Sequence, residues 1–239
     1  MNRYFSFFAT GLLFLLINTE SSAQVSHQVF DNLLKSHVSN TGVVNYAAFK
    51  KDEAKLDKYL ATLKANHPKS TWKRNDKLAF WINTYNAFTI KLILKNMPVK
   101  SIMDINNGKA WDVEWIKLGE NTYSLNHIEN KIIRPEFKEP RIHFAINCAA
   151  KSCPPLLNTA YNGTTLDTQL QNQTTKFIQN KNFNTVAPNQ LMISKIFEWY
   201  ASDFGVITKY IDRYTSVQVA SDAEVIYVEY NWALNGLNK

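Results

Sequence analysis

The sequence predicts an α+β fold: a predominantly helical single domain with a buried central helix packed on a small, mainly antiparallel sheet. Three observations predict it. Apolar residues recur at helical spacing through the first part of the chain. Short strand-like segments bounded by turn residues begin only near its middle. Helices and strands do not alternate regularly, which argues against a doubly wound α/β arrangement.

Phe30, Leu33, Leu34 and His37 share one helical face, and Leu56, Tyr59, Leu60 and Leu63 share another, with Pro68 as a stop. The most apolar internal segment, 78–94, follows. Trp81, Tyr85, Phe88 and Leu92 form one face while Ile82, Ile90 and Ile93 add others, so this helix is the central buried one. Asn75 or Asp76 is placed to cap its start, and Pro98 lies past its end. Asn83 and Asn86 interrupt it. Buried amides need hydrogen-bond partners, so these two are expected to tether the loop after Cys148 or, as the alternative, to line a pocket.

Residues 114–118 and 122–125 flank a Gly119-Glu120-Asn121 turn and read as a hairpin. A short helix over 126–133, ended by Pro135, precedes a strand over 141–147. The polar stretch 164–184 carries Leu166, Leu170, Phe177 and Ile178, the pattern of a polar-faced helix. Strands are expected at 190–194 and 225–230, and helices at 196–201 and 206–213.

The start of the chain reads as a signal peptide over residues 1–23. Arg3 supplies a positive charge, 5–17 is apolar, and Ser21-Ser22-Ala23 suits cleavage before Gln24. The expected product is one exported globular domain, 24–239, periplasmic or secreted, with no integral membrane segment after cleavage. The full chain's 45% hydrophobic content excludes a disordered chain, and only seven Gly and seven Pro in all 239 residues argue for regular elements with short loops. The net charge is +7, and Arg3 and Glu20 cancel within 1–23, so the exported domain keeps that excess. A solvated basic surface is the plainer reading of that charge; an anionic envelope polymer or a protein is the alternative partner it would suit, and nucleic acid is not expected.

Five stretches carry a family resemblance: 78–87 (LAFWINTYNA), 125–134 (LNHIENKIIR), 140–155 (PRIHFAINCAAKSCPP), 194–205 (SKIFEWYASDFG) and 230–235 (YNWALN). The chain resembles the domain-of-unknown-function family 547. The resemblance implies a common fold and a site around the His-to-Cys segment. Family members usually carry a histidine directly after the Ile-Glu pair, where this chain has Asn130; its own histidine lies three positions earlier, at His127.

Cys148 and Cys153 are the only cysteines in the chain. Three readings compete. An oxidising compartment and an even count favour a disulfide. A neighbouring base or positive charge would make either one a nucleophile. Two thiolates and a histidine also make a partial zinc set, without tight Cys-x-x-Cys spacing or a clear fourth ligand. Strand alternation would set His143, Ala145 and Asn147 on one face and Cys148 on the other, leaving Cys153 freer to face His143. Eukaryotic members of the resembled family keep the first cysteine rather than the second, which favours Cys148. Both are therefore candidates, with His143 as base and Asn147 or Glu129 as orienting group. Amides near the 148–153 turn are the expected oxyanion hole.

Each candidate has a plainer role. His143 fits a hydrogen-bonded structural histidine. Glu129 stands three residues after Asn126, the spacing of a capping box. Arg134 fits an ion pair with Glu129. Trp199, Tyr200, Phe204, Tyr230 and Trp232 fit a core, or a sugar platform if the rings are exposed. Two functions follow: a cysteine-dependent hydrolase or acyl transferase acting on envelope amides or esters, or a non-catalytic binding or scaffold domain with a Cys148–Cys153 bridge. No cofactor or metal is expected, since metalloprotease, phosphate-loop and dinucleotide motifs do not occur.

Overall fold

Helix α4 (Arg74–Asn96) organises the first core, as its sequence requires. Every residue from Leu78 to Ile90 is buried. The computed structural model describes residues 25–237; the expected signal peptide lies outside the described residues. Around α4 pack α1 (Gln28–His37), α2 (Tyr46–Lys51) and α3 (Glu53–Ala65). No side chain caps α4, whose first turn instead places Asp76 near the exposed N–H groups of the helix start.

The hairpin pairs β1 (Ile116–Leu118) with β2 (Asn121–Tyr123), Leu118 opposite Asn121. The turn is therefore Gly119-Glu120, with Asn121 already in the strand. Gly119 has φ +58, the left-handed geometry that a two-residue hairpin turn demands. The hairpin covers α4 through edge-to-face contacts of Trp81 with Tyr123 and of Phe88 with Trp115.

A continuous helical rod follows: α5 (Leu125–His127), a π-helical turn (Ile128–Ile133) and α6 (Arg134–Phe137). Ser124 caps its start by accepting from the His127 N–H. The expected capping box of Asn126 and Glu129 is thus not used. Pro135 does not end the rod either. It sits in the first turn of α6, where its missing N–H costs little, and Lys138 at φ +46 makes the stop.

Residues 141–147 are not a strand. Pro140–Phe144 is a 3-10 helix whose start is capped by Glu139, accepting from the Arg141 N–H. A strand would need a neighbouring ladder, and a side chain stands there instead. Asn86 on α4 donates to the Ala145 carbonyl (2.9 Å) and accepts from the Asn147 N–H (2.8 Å). Asn83, one turn earlier, does the same for Tyr161, bonding its carbonyl (2.8 Å) and its N–H (2.9 Å). Both amides are tethers, and they replace strand pairing with single-point attachment of loops.

The second core holds α7 (Leu166–Ile178), β3 (Thr185–Ala187), β4 (Gln190–Ser194), α8 (Ile196–Trp199), α9 (Ala201–Phe204), α10 (Ile207–Asp212) and β5 (Glu224–Val228). Its sheet has the order β3-β4-β5, antiparallel between β3 and β4 and parallel between β4 and β5. Ile142, Ala145 and Ile146 belong to the first core while Phe144 belongs to the second, so the 140–146 segment runs along the seam between them. The fold is α+β, but α4 packs on helices and the hairpin, and the three-stranded sheet serves the second core. Among the described residues, no helix is long and apolar enough to cross a membrane.

Candidate active site

A cavity of about 150 Å³ opens at the seam. Tyr85 from α4, Glu129 from the π-turn, His143 from the 3-10 helix, and Cys148 and Cys153 from the following loop line it together with Tyr200 and Tyr230. Four of the five residues singled out from sequence therefore meet in one place. Asn147 does not line it. Its amide braces the loop, donating to the Pro154 carbonyl (2.8 Å) and accepting from the Ala149 N–H (2.9 Å) and the Asn235 amide (3.1 Å).

The loop is held from two sides. Asn86 fixes its start, and a C-terminal strap fixes its far side. Lys151 and Ser152 N–H groups donate to the carbonyls of Ala233 and Asn231, and the Asn235 N–H donates to the Ala149 carbonyl. Ala149 is forced to φ +62, a conformation costly for a residue with a Cβ, directly after Cys148. The strap brings Tyr230 and Trp232 to the cavity wall.

Cys148 and Cys153 are free thiols. Cys153 is buried and accepts the Cys148 backbone N–H at 2.9 Å; Cys148 is half-buried with its Sγ 3.2 Å from the Tyr230 hydroxyl. A hydrogen bond from the Cys153 thiol holds the Cys148 thiol below its ordinary pKa, against burial and with help from Tyr230 and the Ala150 amide. Burial pushes Cys153 well up. Burial also pushes Tyr230 well up, so its hydroxyl stays a donor beside Cys148. The thiolate of the pair therefore forms on Cys148, which has the donors and the access. Cys153, favoured by the strand geometry expected from sequence, is the supporting member.

The turn amides do not form the expected oxyanion hole. Cys148 N–H is bonded to Cys153 Sγ, Ala149 N–H to Asn147, Cys153 N–H to the Ala150 carbonyl, and the 151 and 152 amides to the strap. The Ala150 amide is directed at Cys148 itself. The donors beside the sulfur are therefore the Tyr230 hydroxyl and the Ala150 amide.

Also on the cavity wall, His143 Nε2 lies 2.8 Å from Asp203 Oδ2, and its ring stacks on Tyr200 at 3.9 Å. Arg134 grips the same carboxylate twice, at 2.7 and 2.9 Å, and bonds Asn130 at 2.8 Å. First His143 and then Arg134 hold the Asp203 carboxyl far below the usual carboxylate range. An Nε2–H donated to Asp203 leaves His143 Nδ1 as an acceptor, and that atom is buried without a partner. Arg134 thus pairs with Asp203 rather than Glu129. Asn130, at the position of the resembled family's usual histidine, is not on the cavity wall; it supports Arg134. Asp203 is the orienting residue that sequence reasoning missed, although it lies inside the 194–205 motif.

Glu129 is 4% exposed, and its Oε1 has no hydrogen-bond partner. Its carboxylate and burial together raise the pKa of Tyr200, burial leading. Trp199 is 45% exposed and stacks against Trp232 at 5.8 Å, with Tyr230 packed on both, so these rings form the cavity rim rather than a closed core. Among the described residues, no His/Cys/Asp/Glu group is arranged to hold a metal ion.

An α+β domain with a thiol pair, a carboxylate-held histidine and a buried glutamate around one cavity defines the class. Residues 69–178 match the family model described as "Protein of unknown function, DUF547", and that stretch belongs to the family that the sequence motifs resemble. The match contains Glu129, His143 and both cysteines; Asp203, Tyr230 and the rim rings at 199 and 232 lie beyond it. No curated protein and no solved structure matches the chain.

Proposed function

We propose that this protein is a cysteine-dependent acyl-transfer enzyme, a hydrolase or acyl transferase, with Cys148 as nucleophile. One observation carries the reading. The more accessible thiol of a contacting pair is the one whose neighbours, Cys153 and Tyr230, stabilise its thiolate, and it faces a cavity that also holds a carboxylate-oriented histidine.

In the proposed reaction Cys148 Sγ forms a bond to the carbonyl carbon of an amide or ester. The Tyr230 hydroxyl donates to the developing oxyanion. The thiol proton passes to His143 Nδ1 and then to the departing amine or alcohol as its bond to carbon breaks. Water, or an acceptor amine, attacks the resulting thioester and regenerates the thiol. Asp203 holds the histidine tautomer that makes this transfer possible. The N-terminal pattern of residues 1–23 supports action after export, in the envelope.

A second reading rests on the contact of the two thiols. In an oxidising compartment they are placed to close to a disulfide, leaving a binding or scaffold domain. Intact mass after iodoacetamide, with and without prior reduction, separates the two. Alkylation without reduction that disappears in Cys148→Ala supports the enzyme. Alkylation only after reduction would replace it with the bridged domain.

A further inference from the structure

The cavity carries a second chemistry that the thiol does not use. Its lining holds one carboxylate, Glu129, and no lysine or arginine, on a chain whose net charge is +7. The basic excess therefore stops short of this site. Around Glu129 the walls are aromatic: Trp111, Trp199, Tyr200, Tyr230 and Trp232. Trp111 packs edge-on against Trp232 at 5.7 Å, which continues the row formed by Trp199 and Tyr230.

A carboxylate buried to this depth is costly unless something pairs with it. Arg134 feels the charge of Glu129, but its hydrogen bonds run to Asp203 and Asn130, and the one side chain that hydrogen-bonds Glu129 is the neutral Tyr200. Oε1 of Glu129 remains without a partner, inside a wall of rings whose π-electrons attract cations. An acyl chain would use the rings but leave the carboxylate unpaired, and a neutral sugar would give it a hydroxyl donor but no opposite charge. An anion would be repelled by it.

We infer that this cavity binds an organic ammonium group, so that the substrate is an amide or ester that carries a positively charged amine. The ammonium site rests on the reading that the cavity is the substrate site; the amide or ester part rests in addition on the acyl-transfer reading. Glu129 Oε1 takes the ammonium charge, and the tryptophans of the rim exclude water from it.

The test is calorimetric titration of the full chain and of its Cys148→Ala variant with tetramethylammonium and n-butylammonium, against the neutral tert-butanol and n-butanol. At least one cation is expected to bind about tenfold or more tightly than its neutral counterpart. Glu129→Gln is expected to remove that preference, and Trp199→Ala, at an exposed position whose loss leaves the fold intact, to weaken it severalfold. Equal binding of cation and alcohol, binding of neither, or a preference that survives Glu129→Gln overturns the inference. Iodoacetamide labelling of the same samples keeps the two readings apart. Cation binding with an unreactive Cys148 supports the ligand class while removing the enzyme; a reactive Cys148 without cation binding removes the ligand class alone.

Discussion

Two sets of buried polar side chains sit within one molecule and behave differently. On α4, Asn83 and Asn86 are almost fully buried, and each uses both ends of its amide on a backbone N–H and a carbonyl. In the cavity, Glu129 and His143 are just as deep, yet each keeps one atom without a partner. The first set fixes loops in place. The second is what a fold retains when a site needs something from outside. Burial alone does not separate these two sets; hydrogen bonding does, and although Thr84 and Thr89 on α4 also keep a hydroxyl without a partner, only Glu129 and His143 turn theirs toward a cavity they line.

The comparison makes unequal predictions for similar-looking changes. Asn86→Ala should have the largest effect, about 2–4 kcal/mol of lost stability, because it strands the Ala145 carbonyl and the Asn147 N–H. Denaturant melts check this, and slower alkylation of Cys148 should accompany it as the loop loses its anchor. Glu129→Gln, at an equally buried position, should leave stability within about 1 kcal/mol of the wild type, since Oε1 has no hydrogen-bond partner to lose. A loss as large as that of Asn86→Ala would place Glu129 with the architectural set.

Asp203→Asn should act mainly on pH dependence. The folded carboxyl is held below its unfolded value by His143 and Arg134. Its stabilisation is therefore present above the unfolded pKa of about 4 and is lost as pH falls toward the folded one. Thermal melts between neutral and strongly acid pH should show the wild type losing stability below that range, and the variant losing less. The smallest effect belongs to Trp199→Ala, within about 0.5 kcal/mol by the same melts, because the ring is substantially exposed.

Much of the first core was legible because α4 and the hairpin carry a local period, and so does α7, whose Leu166 and Leu170 join the first core while Phe177 and Ile178 join the second. The meeting of Cys148, Cys153, His143 and Glu129 was also legible as a set, since a short motif and a nearby helix supply them. The 141–147 segment misled because Ile142, Phe144 and Ile146 alternate like a strand. Their burial comes instead from lying between two cores, one on each side. Asn147 was chosen on that false pleat. Asp203 and Tyr230 reach the site from 60 and 82 residues away, and no spacing rule connects residues so distant.

The central claim is that Cys148 is the activated thiol and Cys153 its donor. The most direct measurement is the rate of Cys148 alkylation against pH, with peptide mapping, in the wild type and in Cys153→Ala. The midpoint for Cys148 should fall below the ordinary thiol value of about 8.5 and rise when Cys153 is removed. A midpoint at or above that value, or faster modification of Cys153, would contradict the account.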